Sequence, residues 1–190
     1  MSDFAIVSKV IRGRRAIFPK SYTPREIEVE TIKDILDSAR WAPTHKRMEP
    51  WRFVVFRGEG RQKLSDFMAE DYKNTAVSFS EARQKQLSAN PLLANAVIAI
   101  IVHINPDSGL PEWEEYAATA CAVQNMWLTA SSLGIGAYWS TPGIIQRMGA
   151  LIDMEPEQKC IGLFYMGIPE GEVLQEGTRK PVEDFTKWVE

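Results

Sequence analysis

The most concentrated charge in this 190-residue chain is Arg12-Gly13-Arg14-Arg15, three positive charges in four residues of a protein whose formal net charge is −3. Guanidinium groups grip phosphate bidentately, and each charge-assisted hydrogen bond contributes about 1.5–3 kcal/mol. The same residues equally suit a solvated basic end that complements the dipole of a helix C-terminus, and spacing alone leaves the two readings level. A second basic pair, Arg179-Lys180 ahead of Pro181, could complete a phosphate site. The other dense segment is Trp41-Ala42-Pro43-Thr44-His45-Lys46-Arg47-Met48-Glu49-Pro50-Trp51. It carries indoles, prolines, an imidazole and two cations, more chemistry than a plain connection needs. His45 and His103 have no metal-ligand spacing, so no metal site is expected, and no Gly-x-Ser-x-Gly elbow is present.

The elements that must position these residues follow from periodicity. Phe4, Val7, Val10 and Ile11 share one face of a helix expected over Asp3–Arg12, which ends at the arginines. Thr23-Pro24-Arg25-Glu26 reads as a helix start, with Thr23 as the cap, and the helix runs to the stop at Ala42-Pro43. Arg52–Arg57 and Ala96–Ile104 read as strands, with a polar helical stretch over Gly60–Gln86 broken at Asn90-Pro91. The longest helical pattern spans Glu112–Leu133, and its small stretch Ala117–Ala122 permits close approach of another helix. After Gly134-Ile135-Gly136 come a short strand through Tyr138-Trp139, the loop Ser140-Thr141-Pro142-Gly143, a helix to Leu151 and a strand over Cys160–Gly167. The tail from Gly171 carries Phe185 and Trp188, so something should tie it down.

This order predicts an α+β fold in a single domain spanning 1–190. A dinucleotide-binding Rossmann fold is not expected, because Gly134-Ile135-Gly136 follows a helix and lacks the third glycine. With 45% hydrophobic and 25% charged residues, no apolar run long enough to span a bilayer and an acidic, polar start, the composition suits a cytoplasmic globular protein. Cys121 and Cys160 are expected as reduced thiols, and the acidic balance argues against nucleic acid as a partner. Six tryptophans, spread along the chain, are the compositional oddity.

Four segments together carry a resemblance: Arg14-Arg15-Ala16-Ile17, Ala42-Pro43 followed by Pro50-Trp51-Arg52-Phe53-Val54-Val55, the helix running into Gly134-Ile135-Gly136, and the late strand 162–169. In this order and spacing they resemble the FMN-dependent nitroreductase family, and the segment from Ala42 to Trp51 is similar to its short, single-domain NAD(P)H nitroreductases. The resemblance implies a small mixed β-sheet surrounded by helices and an intertwined homodimer with two FMN molecules at the subunit interface. It also implies that the tail 171–190 reaches across to the partner.

Residue by residue, Arg14, Arg15 and Ala16 match the stretch that holds the flavin phosphate and pyrimidine edge, with Ala16 in place of a serine. Phe18 stands where many members carry a basic residue. Trp41 and His45 match FMN-contacting positions of the short subgroup, and Arg47 stands where the wider family often has asparagine. Trp139, Ser140 and Thr141 match the segment whose backbone lies along the flavin ring, with an N–H toward N5. Arg179 matches a C-terminal basic residue on the phosphate. The implied activity is reduction of a small-molecule electron acceptor, nitroaromatic, quinone or similar, with NADH or NADPH as donor and flavin N5 as the hydride relay. Lys46 or Arg47 could offset the charge that develops at the N1–C2=O edge, and no side chain is required as acid or base. Two other readings use the same arginines: a non-enzymatic flavin-binding protein, and a flavoenzyme of the same fold with different redox chemistry.

Overall fold

The computed structural model of the chain describes residues 2–171 and 177–190. Four strands, β1 (Trp51–Phe56), β2 (Ala96–His103), β3 (Gly136–Ser140) and β4 (Gln158–Gly167), form one sheet in the order β1-β2-β4-β3. The helices are α1 (Asp3–Gly13), α2 (Val29–Ala39), α3 (Glu59–Thr75), α4 (Glu81–Leu93) and α5 (Glu112–Ser132).

Every ladder is antiparallel, where a mixed sheet was expected. The connections explain this. Between β1 and β2 the chain goes out along α3 and returns along α4, so β2 starts near the end of β1 and must run the opposite way. From β2 the single helix α5 does make a parallel crossover to β3, but β4 enters between the two strands and pairs antiparallel with both. Among the described residues the parallel pairing is the isolated bridge between Ala16 and Ala137.

Side-chain alternation along β2 divides the core into two layers. Ile98 and Ile100, with Phe164 and Met166 of β4, face Ile32 and Ile35 of α2 and Ala122 and Met126 of α5. Val97, Ala99 and Ile101, with Leu163 and Tyr165, face Leu64 and Met68 of α3 and the 3-10 turns of Gly143–Ala150, where Ile144 and Met148 are buried. The β2–β4 register slips between Ile100 and Ile101, which pair with Gly162 and Cys160. The extra residue, Ile161, bulges the strand and lets Cys160 share a layer with Leu163 despite the odd spacing.

Two expected boundaries move. Thr23 does not cap a helix: its N–H (2.7 Å) and hydroxyl (3.1 Å) both donate to the Ile168 carbonyl, which ties the 23–28 segment to the end of β4, and α2 starts only at Val29. Pro91 does not break α4, which continues to Leu93. It sits in the last turn, where it forfeits one backbone bond and the helix ends two residues later. The expected helix after Gly143 is 3-10 in form.

No residue of α1 is buried: Phe4, Val7 and Ile11 of its apolar face lie open. On α5, Ala118 and Ala122 point to the core while Ala117, Ala120 and Cys121 lie exposed on the opposite side. The tail aromatics Phe185 and Trp188 are 71% and 79% exposed within the single chain. No helix among the described residues is long and apolar enough to cross a membrane.

Candidate functional site

The arginine cluster is fixed by how α1 ends. Arg14 leaves the helix in an extended conformation, its N–H still bonded to the Val10 carbonyl. Ala16 then bridges Ala137, and the Ile17 N–H donates to the Ala137 carbonyl at 3.0 Å, docking the segment on the outer edge of β3. Gly136 makes this possible, because a Cβ there would lie 2.9 Å from the Ile17 Cβ. The Tyr22 hydroxyl donates to the Ile17 carbonyl at 2.6 Å, and the Phe18 ring meets Tyr138 at 4.5 Å. Phe18 is therefore part of the apolar anchor rather than a charged contact.

With the backbone pinned, the Arg14 guanidinium lies 4.4 Å over the ring of Trp127, which packs edge-on against the core residue Phe164. Burial holds the Arg14 pKa below its ordinary value, and the nearby charges of Arg179 and Arg15 lower it further. Arg15 donates to the Arg12 and Arg14 carbonyls at 2.7 and 2.9 Å. The tail passes close enough at Gly177 that a Cβ there would lie 2.8 Å from Arg15 Cζ. Ile11, Arg12, Arg15, Gly177, Arg179 and Lys180 line a cavity of about 610 Å³. None of the ion pairs among the described residues involves Arg12, Arg14, Arg179 or Lys180. The result is a group of like charges at the end of α1.

Further along the same edge strand, Trp139 and Ser140 pair with Phe164 and Leu163, and Thr141 is exposed. Trp139 fits because Gly162, beside the bulge, has no side chain: a Cβ there would press on the indole Nε1 and lie 2.6 Å from Cδ1. The Nε1 atoms of Trp139 and Trp127 are buried and have no hydrogen-bond partner among the described residues. Trp139 walls a second cavity of about 670 Å³, shared with Tyr116, Ile145, Met154 and Ile161. Lys159 on its rim pairs with Glu112 at 2.6 Å, which draws the Glu112 carboxyl below and the Lys159 amine above their ordinary values. Cys160 beside it is a free thiol, pushed up to about 11 by burial.

The tryptophan-rich segment stands elsewhere. α2 ends against α5, where the Asn125 amide donates to the Ser38 carbonyl at 3.2 Å, and Trp41 projects outward, 76% exposed. Lys46, Arg47 and Glu49 have left-handed φ angles of 49°, 56° and 44°, unfavourable without glycine, so other contacts must hold the turn. They do: the Glu49 N–H bonds Thr44 Oγ1 at 3.0 Å, Lys46 Nζ donates to the Ser108 carbonyl at 3.1 Å, and His45 Nδ1 meets Glu114 Oε2 at 2.7 Å. Trp51, at the end of the segment, is buried in the core.

Thus the structure sets Arg14, Arg15 and Arg179 together, with Ala16 beside the strand that bears Trp139, Ser140 and Thr141. Trp41 and His45 are not brought to them, and neither lines the cavities at Arg15 or Trp139. Sequence reasoning missed Trp127, the rest for Arg14, and Glu114, the partner of His45. Nothing local in the sequence links these pairs. Gly162 carried a readable signal, since a glycine inside a strand marks close approach.

The edge-docked arginines, the antiparallel sheet with a core layer on each face and the indole seated over a glycine define a nitroreductase-like α+β fold. The chain superposes on the nitroreductase-like family protein of Bacillus cereus with a TM-score of 0.84 at 28% identity, covering 100% of this chain and 99% of that one. It belongs to the Nitroreductase family, whose model matches residues 11–168. YdjA of Escherichia coli, provisionally named an NAD(P)H nitroreductase, is 30% identical over 84% of this chain and 86% of its own length. A Desulfovibrio desulfuricans protein provisionally named a nitroreductase, solved in complex with FMN, matches at a TM-score of 0.70 and 26% identity over 97% of this chain and 96% of that one.

Proposed function

We propose that the protein is an FMN-dependent oxidoreductase that uses NADH or NADPH to reduce nitroaromatic, quinone or similar small acceptors. The observation that carries this reading is the charge group at the end of α1. Arg14 is partly buried, stacked on Trp127 and opposed by Arg15 and Arg179, with no ion-pair partner for it among the described residues. A phosphate monoester, carrying about −1.5 to −2 charge at neutral pH, would relieve that repulsion. The site therefore fits the flavin phosphate. The backbone at Ala16 would meet the pyrimidine edge, and the strand end Trp139–Thr141 would run beside the ring. When bound, FMN supplies two-electron hydride chemistry at N5, accepting from NAD(P)H and delivering to the acceptor in turn. The chain's own residues bind and orient, and none is required as acid or base.

Homodimer formation belongs to the same proposal. Trp41 and His45 would reach the flavin from a second copy, which accounts for their separation from the arginines within one chain. The open apolar face of α1, the exposed Ala117, Ala120 and Cys121 of α5, and Phe185 and Trp188 are surfaces a partner would cover, with the tail 171–190 reaching across. Part of that tail, residues 172–176, lies outside the described residues.

Donor and acceptor that use one flavin in succession give ping-pong kinetics. Initial rates with NAD(P)H varied at several fixed concentrations of a quinone should yield parallel double-reciprocal lines. Lines that intersect would show a ternary complex and overturn the sequential use of one site.

A further inference from the structure

The chain leaves the sheet at the end of β3, where the flavin ring is proposed to lie. Ser140 is the last residue of β3 to pair with β4, and Thr141 beyond it is exposed. From there the 3-10 segment Gly143–Ala150 holds the chain. Its Ile144 and Met148 are buried in the core layer shared with α3, which fixes the depth of the segment but not its rotation about its own axis. Packing against the helices is incomplete, because a cavity of about 80 Å³ lies between them and the turn, lined by Met68, Tyr72, Leu87, Pro142 and Ile144. Atoms that face a void lose contacts on that side. Arg147 bridges the gap. Its Nε and Nη2 donate to the two carboxylate oxygens of Asp71, Nη2 at 2.7 Å, and Nη2 also reaches Thr75 Oγ1 at 3.5 Å. The partners lie 76 residues apart in the chain, and the Asp71 side chain is only 10% exposed. Ion pairs between flexible surface side chains contribute little, whereas a bidentate Arg–carboxylate pair fixes direction as well as distance. Neither residue is among the proposed flavin contacts.

We infer that Asp71 and Arg147 are positioning residues, which clamp the turn after β3 so that the Ser140–Thr141 backbone keeps its place beside the flavin ring. The inference rests on the oxidoreductase reading for the flavin as the group positioned. The flavin phosphate would be held at the other end of the same edge, by Arg14 beside the Ala16–Ala137 bridge. Loosening the clamp should therefore slow hydride transfer more than it releases flavin, since a misplacement of about 1 Å can cost about a hundredfold in rate.

The test combines backbone hydrogen exchange, read by mass spectrometry, with anaerobic stopped-flow bleaching of the FMN-loaded protein by NADPH and, separately, by NADH. In Arg147→Gln the amides of 140–147 should exchange at least about tenfold faster than in wild type, with those of β2 unchanged. The limiting bleaching rate should fall at least about tenfold, while the FMN dissociation constant stays close to wild type. Arg147→Lys, which keeps the charge without the planar fork, should lie between the two. Arg147→Gln leaves the Asp71 carboxylate unpaired, so the double variant Asp71→Asn/Arg147→Gln carries the same test should the single variant fail to fold. Exchange across 140–147 as slow as in wild type would overturn the inference. So would faster exchange with an unchanged bleaching rate, which would leave the pair a purely structural role. A protein that takes up no FMN defeats the oxidoreductase reading instead, and the exchange of 140–147 still decides whether the pair holds the turn.

Discussion

Replacing Arg14 with alanine should strip the protein of FMN. Its guanidinium is fixed by an aromatic platform, 4.4 Å over Trp127, on a backbone docked to the sheet edge. It therefore meets a phosphate with little ordering cost, where a free surface arginine would have to surrender its rotamer freedom. One or two charge-assisted bonds at about 1.5–3 kcal/mol each correspond to a rise in the FMN dissociation constant of at least about tenfold, and of several hundredfold if two bonds are lost. Arg14→Lys keeps the charge but loses the planar fork and the stack, so it should fall between wild type and alanine. Arg15→Ala should also lower flavin occupancy, because Arg15 holds the Arg12 and Arg14 carbonyls that shape the turn. Flavin fluorescence, quenched on binding and read in a titration, measures all three. A dissociation constant unchanged in Arg14→Ala would remove Arg14 from the site.

The second large effect belongs to Gly162. Adding one methyl group there drives a Cβ into the indole of Trp139, a neighbour held by its own strand pairing with Phe164. Overpacking of this kind costs about 1–3 kcal/mol, and for a chain of this size that lowers Tm by roughly 2–12 °C. Since Trp139 borders the segment proposed to lie beside the flavin ring, Gly162→Ala should weaken FMN binding together with stability. Gly149→Ala is the control: nothing lies within 4 Å of a Cβ at that position, so Tm should stay close to wild type. Thermal unfolding of both variants in the presence and absence of FMN separates the two consequences. An unchanged Tm for Gly162→Ala would mean that Trp139 is free to move and that the glycine does not define its place.

Much of the fold was legible because its signals are local. The β-branched run of β2, the small-residue helix α5 and the helix α1 with its terminal arginines all read correctly from periodicity, to within a residue or two at most ends. What failed depended on distant partners. Thr23 has the chemistry of a cap, yet its hydroxyl is claimed by the Ile168 carbonyl across the molecule, and no window around Thr23 contains that carbonyl. The sheet's direction turned on where β4 inserts, which connection lengths alone do not dictate.

The site divides in the same way. Arg14 and Arg15 were visible as a charge cluster in the sequence, but Trp127 beneath Arg14 and Glu114 against His45 come from α5, far along the chain. The tryptophan count looked like an oddity and now has a partial cause. Trp127 supports an arginine, Trp139 fills the space left by a glycine, and Trp51 packs in the core. Trp41, Trp113 and Trp188 remain open in the single chain, and the proposed second copy would cover Trp41 and Trp188.

The most direct test of the whole account is anaerobic spectroscopy of the purified protein after incubation with excess FMN and removal of the unbound flavin. The protein should be yellow, with the visible bands of bound flavin, and adding NADPH should bleach them before a quinone restores them. A protein that stays colourless after incubation with FMN, or a yellow one whose bands neither nicotinamide nucleotide bleaches, would contradict it.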